Sequence, residues 1–144
     1  PHLNPSEEVP MPIAVWSRRY ETGIELVDAQ HQGLFEAVNR LADSFKEGQA
    51  RNQVVACLDF LVAYTVEHFQ TEERFMGEDA YPGLAAHADE HAQLMRQVQE
   101  LQARLVAGQP VTMDVTIFLV EWLTTHISGS DMRYAEFVRE QRRG

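Results

Sequence analysis

The chain has 144 residues, 44% hydrophobic and 24% charged, with a formal net charge of −10. That is enough apolar material for one domain with a buried core, and it argues against global disorder. The acidic balance argues against nucleic-acid binding and against docking on anionic membrane, since both need a basic face.

No apolar run approaches the length that spans a bilayer, and no signal-peptide pattern opens the chain, so direct membrane insertion is not expected. Cys57 is the single cysteine. An intrachain disulfide is therefore excluded, a thiolate metal site is not expected, and a reducing, cytoplasmic setting fits.

Residues 1–12, PHLNPSEEVPMP, are rich in proline and polar residues and read as a flexible arm, a linker or a cloning remnant, with Met11 a candidate natural start. The lack of Met at position 1 mildly favours a domain excised from a longer protein. Residues 13–144 are expected to form the domain. In 13–27 the apolar residues follow no single period, which predicts an extended segment across the bundle, anchored by packing of Trp16.

Asp28 is a good N-cap, and after it His31, Leu34, Phe35, Val38, Leu41, Ala42 and Phe45 recur at helical steps to Gly48. A second helix is expected from about Asn52 to Met76, with Val54, Leu58, Leu61, Thr65, His68, Phe69 and Glu72 on its inner stripe. Glu67 and Glu73 lie off that stripe, so solvated roles are expected for them. Cys57 lies beside it and reads as inert packing.

Gly77–Gly83 is a turn, and a third helix follows from Leu84 to Ala107 with His87, His91, Leu94, Met95 and Val98 inward. Its HADEH stretch is not the zinc-protease pattern H-E-x-x-H, because Ala88 follows His87. Thr112 can cap a fourth helix carrying Phe118, Leu119, Trp122, Leu123, His126 and Ile127. Ser128-Gly129-Ser130 is expected to interrupt it, and Asp131 to cap a short C-terminal helix. The prediction is an all-α, antiparallel up-down-up-down four-helix bundle with an extended N-terminal arm and a short C-terminal helix.

Seven residues carry the chemistry: His31, His68, Glu72, His87, His91, His126 and Asp131. His68/Glu72 and His87/His91 stand four apart, which stacks each pair on one helix face. His126/Asp131 stand five apart, which a straight α-helix does not align. A kink at Gly129 would swing Asp131 back. Inward imidazoles and carboxylates are costly in a core unless paired or bound to a cation, and together they form a ligand set for borderline metals such as iron and zinc. Seven ligands exceed what one ion takes, so two ions bridged by the carboxylates is the simplest reading. The set departs from ferritin-like Glu-x-x-His pairs and is poorer in carboxylates.

The ordered pattern H…H-x-x-x-E…H-x-x-x-H…H-x-x-x-x-D, from His31 to Asp131, resembles the hemerythrin family, specifically its bacterial hemerythrin-like domains, over about residues 13–138. The resemblance implies two Fe ions in a non-haem, oxo- or hydroxo-bridged centre. It implies that His87, His91 and His126 hold one iron and His31 and His68 the other, with Glu72 and Asp131 as bridges. O2 would bind at the position left open on the two-histidine iron.

Leu34, Phe69, Leu123 and Ile127 read as the apolar wall of the O2 pocket, with Trp122 and Tyr134 packed beside it. The expected function is reversible O2 binding for carriage, storage or delivery to an oxygen-using enzyme. The alternative is an O2- or redox-sensing domain coupled to a signalling module. A di-iron peroxidase or nitric-oxide-handling enzyme ranks lower, with at most a minor peroxidase-like activity expected, and two irons serve iron storage poorly.

Overall fold

The computed structural model describes residues 13–48, 50–110 and 114–143. Four helices make the bundle: α1 (Glu25–Lys46), α2 (Arg51–Glu78), α3 (Leu84–Val106) and α4 (Asp114–His126). They run up-down-up-down, α1 packing on α2 and α4, and α2 on α3. A π turn, Ile127–Asp131, follows α4 directly and leads into α5 (Met132–Arg143). No strand occurs among the described residues. The expected cap at Thr112 and the arm 1–12 lie outside them.

Each helix buries most of the stripe its periodicity predicts; the exception is Phe118 of α4, which is exposed at the groove between α3 and α4. Leu34, Val38 and Leu41 meet Leu58, Leu61, Val98 and Leu119 in the main apolar cluster. A smaller cluster gathers Met76, Tyr134 and Val138. The seven polar residues lie between the two clusters, with Phe69 and Ile127 of the main cluster interleaved among them, so apolar packing closes the polar layer on both sides. Tyr134 therefore packs across the polar layer from Phe69 and Leu123, not beside them. Its hydroxyl donates to Asp79 Oδ2 at 2.5 Å, which ties α5 to the end of α2. Cys57 packs half-buried against the main cluster.

The entry to α1 corrects the sequence expectation. The helix begins at Glu25, with Ile24 in the capping position, and Asp28 lies within its first turns. The Asp28 carboxylate reaches back and accepts from Thr22 N–H (2.8 Å), Thr22 Oγ1–H (2.7 Å) and Gly23 N–H (3.1 Å). It stitches the incoming chain instead of capping the helix. Gly23 has φ +85°, a left-handed conformation that glycine adopts freely.

The segment before α1 is only partly extended, because Arg18–Tyr20 form a 3-10 turn. Trp16 anchors it as expected, packing edge-on to Phe35 at 5.4 Å. Asn39 and the Ala14 backbone exchange two hydrogen bonds of 2.9 Å.

Two helix ends use the same closure with different residues. After α3, Gly108 (φ +81°) lets Gln109 N–H reach Arg104 O and Gly108 N–H reach Leu105 O. After α2, Tyr81 N–H reaches Met76 O and Ala80 N–H reaches Gly77 O, but Ala80 must take φ +52°. A Cβ in that conformation costs about 1 kcal/mol.

The predicted interruption at Ser128–Ser130 does not occur, and Asp131 caps no helix. The chain stays helical but widens into a π turn. Ser128 Oγ–H donates to Thr124 O at 2.7 Å, a side-chain bond that competes with the regular ladder there. In an α-helix five residues overshoot one full turn by about 140°. The wider i→i+5 turn absorbs that overshoot and brings His126 and Asp131 to one side.

Candidate metal centre

All seven predicted residues converge: His31 from α1, His68 and Glu72 from α2, His87 and His91 from α3, His126 from the end of α4 and Asp131 from the π turn. Each is buried, and the most exposed, His126, reaches only 6%. Their ligand atoms form two groups that share both carboxylates. One is Glu72, His87, His91, His126 and Asp131; the other is His31, His68, Glu72 and Asp131.

Each carboxylate divides its two oxygens between the groups. Glu72 Oε1 lies 2.5 Å from His87 Nε2 and 3.3 Å from His91 Nε2. Its Oε2 lies 3.3 Å from His68 Nε2 and 3.6 Å from His31 Nε2. Asp131 does the same, with Oδ1 at 2.8 Å from His87 Nε2 and 3.2 Å from His126 Nε2, and Oδ2 at 3.0 Å from His31 Nε2.

The outer ring nitrogens set the protonation of the inner ones. His91 Nδ1 lies 3.1 Å from Glu73 Oε2 and His126 Nδ1 lies 2.8 Å from Glu90 Oε2. A carboxylate only accepts, so both Nδ1 atoms carry a proton, and in the neutral ring that leaves Nε2 as the inward acceptor.

His68 Nδ1 meets Gln30 Oε1 at 2.8 Å. Gln30 Nε2 donates to Thr71 Oγ1, which passes its own proton to Glu67 O. That chain fixes the amide's orientation and makes His68 Nδ1 the donor as well. His31 Nδ1 has no hydrogen-bond partner among the described residues.

This arrangement is unstable without positive charge at its centre. His91 Nε2 and His126 Nε2 stand 3.0 Å apart, two imidazole nitrogens that in their neutral Nδ1–H form turn lone pairs on each other. Both oxygens of Glu72 and both of Asp131 are buried, and none completes a hydrogen bond of normal geometry. Orphaned lone pairs aimed at two shared points fit two cations, and the nitrogen–oxygen donor set fits iron.

With no cation present, protons take over that role. Burial opposes charge on His31 and His87, but the Asp131 and Glu72 oxygens beside them outweigh it and raise both imidazoles to about 9. Burial likewise pushes Glu72 up, but its four histidine partners hold it well below the usual carboxylate range. Asp131 is also held down, because the histidine contacts outweigh burial and the Glu72 charge. Burial dominates at His68 and lowers it.

Aromatic rings flank the first group. Phe69 stacks on His91 at 3.7 Å and Trp122 on His126 at 4.5 Å. Beyond them runs an apolar cavity of about 30 Å³, lined in part by Leu34, Phe69, Trp122 and Leu123. Ile127, expected in the same wall, is fully buried but does not line this cavity.

Three polar residues escaped the sequence reading: Gln30, Glu73 and Glu90. Glu73 was expected to be solvated, yet it is half-buried on His91. Each of the three is the chain neighbour of a ligand on its own helix (His31, Glu72 and His91) and holds a ligand on the next helix. That adjacency is visible in the chain and is the signal that could have found them.

The family model for the "Hemerythrin HHE cation binding domain" matches residues 22–138. The chain belongs to the hemerythrin family. It is 34% identical over 129 residues to a bacteriohemerythrin of Stenotrophomonas maltophilia, covering 90% of this chain and 84% of that one. It is 35% identical over 126 residues to a bacteriohemerythrin of Methylococcus capsulatus, covering 86% and 95%.

A myohemerythrin of Riftia pachyptila is 31% identical over 129 residues, covering 90% and 96%. A solved wild-type hemerythrin superimposes with a TM-score of 0.82 at 34% identity, covering 86% of this chain and 96% of that one. As in the sequence reading, no described helix is long and apolar enough to cross a membrane.

Proposed function

We propose that this hemerythrin binds O2 reversibly at a non-haem di-iron centre and serves oxygen carriage, storage or delivery to an oxygen-using enzyme. The observation that carries the reading is the division of the two carboxylates: Glu72 turns Oε1 to His87 and His91 and Oε2 to His31 and His68, and Asp131 turns Oδ1 to His87 and His126 and Oδ2 to His31. Under it, His87, His91 and His126 hold one iron and His31 and His68 the other. Glu72 and Asp131 would be shared between the two, and an oxo- or hydroxo-bridged pair is the form proposed. When bound, the iron pair supplies the electrons that reversible O2 binding draws on.

The rest is the work of this chain. Five imidazoles and two carboxylates leave the two-histidine side one protein ligand poorer, which is where an external ligand has room. Glu73, Glu90 and Gln30 hold the Nδ1 protons of His91, His126 and His68, which directs the Nε2 atoms of those three toward the centre. Leu34, Phe69 and Leu123, with Trp122, form an apolar wall that keeps water from the centre, and Ile127 adds buried bulk behind it. Peroxidase-like turnover is a side reaction in this scheme.

A sensor role draws support from one contact: Trp16, in the segment leading into α1, lies 6.4 Å from the His31 ring. A change at His31 would be felt there first, and a signalling module would be the partner.

Metal analysis and the visible spectrum of the reduced protein test the proposal. Two irons per chain and a band that appears with O2 and fades on deoxygenation are expected. Zinc, or one iron per chain, would overturn the di-iron assignment. Oxidation with no reversible oxygenated form would overturn the carrier role and favour the sensor.

A further inference from the structure

The π turn is the one irregular piece of backbone in the centre, and it sets the spacing between two of the seven converging residues. His126 ends α4 immediately before it and Asp131 closes it. A single oxygen on another helix grips both ends of this turn. Glu90 Oε2, on α3, accepts from His126 Nδ1–H at 2.8 Å and from Ser130 Oγ–H at 2.6 Å. Arg133 Nη2 in turn donates to Ser130 Oγ at 2.9 Å. Glu90 sits at the edge of the centre, 41% exposed, in an open groove of about 480 Å³ between α3 and α4.

A helix has two ways to pass through residues 127–131. The α register satisfies more regular hydrogen bonds but carries Asp131 about 140° away from the side His126 occupies. The π register aligns them and is usually found where a function demands it. Within the turn Ile127 and Asp131 are buried, while Gly129 and the two serines leave the backbone between them free to take either register. From outside the turn, one acceptor reaches residues 126 and 130 together.

We propose that Glu90 is a positioning residue: by accepting from His126 and Ser130 with one oxygen, it holds the π register that presents His126 and Asp131 together. Its effect on metal binding rests on the di-iron reading above; its hold on the turn does not.

Three variants of the full chain test this: Glu90→Ala, Glu90→Gln and Ser130→Ala, with Glu121→Ala in the same groove as control. The first measurement is amide hydrogen exchange over residues 127–132 in the metal-free protein. Glu90→Ala is expected to speed it roughly tenfold or more. Ser130→Ala is expected to fall between it and the parent, because one of the two bonds remains.

The second measurement is Co2+ titration. Glu90→Ala is expected to weaken binding by roughly 10- to 100-fold, the usual cost of losing a partner that orients a ligand. Glu90→Gln, whose amide oxygen can accept from both donors, is expected to recover most of the exchange protection and the affinity.

Unchanged exchange and affinity in Glu90→Ala would overturn the proposal. So would a Glu90→Gln variant as impaired as the alanine, since charge and not position would then be the cause. If the parent chain itself fails to take two ions, the di-iron reading falls, while the exchange measurement still decides whether Glu90 holds the turn.

Discussion

The two halves of the centre share their bridging carboxylates and differ in nearly everything else. The His87, His91 and His126 half is braced: carboxylates grip His91 and His126 from behind, and aromatic rings stack on both. The His31 and His68 half is looser. His68 is held by a neutral amide, and His31 Nδ1 has no partner among the described residues. Negative charge behind an imidazole makes it a stronger donor and fixes its direction. On the proposed di-iron reading, the braced half would keep its ion and the looser half would accommodate an exchanging ligand.

Replacing ligands tests this contrast most strongly. His126→Ala is expected to abolish stable iron loading, because it removes a ligand from the anchoring half and frees the π turn that carries Asp131. His31→Ala is expected to retain one iron per chain after gel filtration. Equal losses in the two variants would break the contrast.

Metal removal and pH come next, and here the halves act alike. His31 and His87, one from each half, are raised to about 9 in the metal-free fold from an unfolded value of 6.5. The folded state keeps two protons that the unfolded chain has lost, so stability falls as pH rises from 6.5 through 9. Below 6.5 the lowered His68, and further down Glu72 and Asp131, reverse the sign, because the unfolded chain then binds more protons. Metal-free stability should peak near pH 6.5 and drop by a few kcal/mol toward alkaline pH, read by urea unfolding. In the loaded protein cations replace those protons, so the alkaline loss should vanish, and loading at pH 7 should release about two protons per chain.

Leu123→Ala enlarges the cavity beside the braced half and is expected to cost about 2–3 kcal/mol. It should keep both irons and speed autoxidation of the oxygenated protein; unchanged autoxidation would remove Leu123 from the pocket wall. Gln30→Glu gives His68 the carboxylate support its counterparts have. It should raise metal affinity in the looser half by up to about tenfold and lower its reduction potential. Ala80→Gly, remote from both halves, sets the baseline. Relieving the left-handed alanine should stabilise the fold by about 0.5–1 kcal/mol, with metal content unchanged.

The helices and the seven converging residues were legible because both are periodic. A stripe repeating every three or four residues states which face turns inward without reference to the rest of the molecule. His68/Glu72 and His87/His91 sit on such stripes. The five-residue step from His126 to Asp131 was legible as an anomaly, but its solution was not. A serine–glycine–serine stretch is compatible with an interruption or a widened turn, and the choice depends on Glu90, some 40 positions earlier in the chain. Asp28 misled for a related reason: its carboxylate satisfies amide groups of the chain ahead of the helix, which a cap preference does not anticipate.

Linear order thus settles fold class, inner faces and which seven polar side chains converge, because side-chain type and helical period are local properties. Packing settles the rest. It decides which oxygen of each bridge faces which histidines, and that the chain neighbours of ligands on α1, α2 and α3 reach across to ligands on α2, α3 and α4. It also decides that the helix widens instead of breaking before Asp131. Those outcomes turn on which helix lies beside which and in what sense they follow one another around the bundle. The hydrogen bonds that depend on it join residues 18 to 40 positions apart.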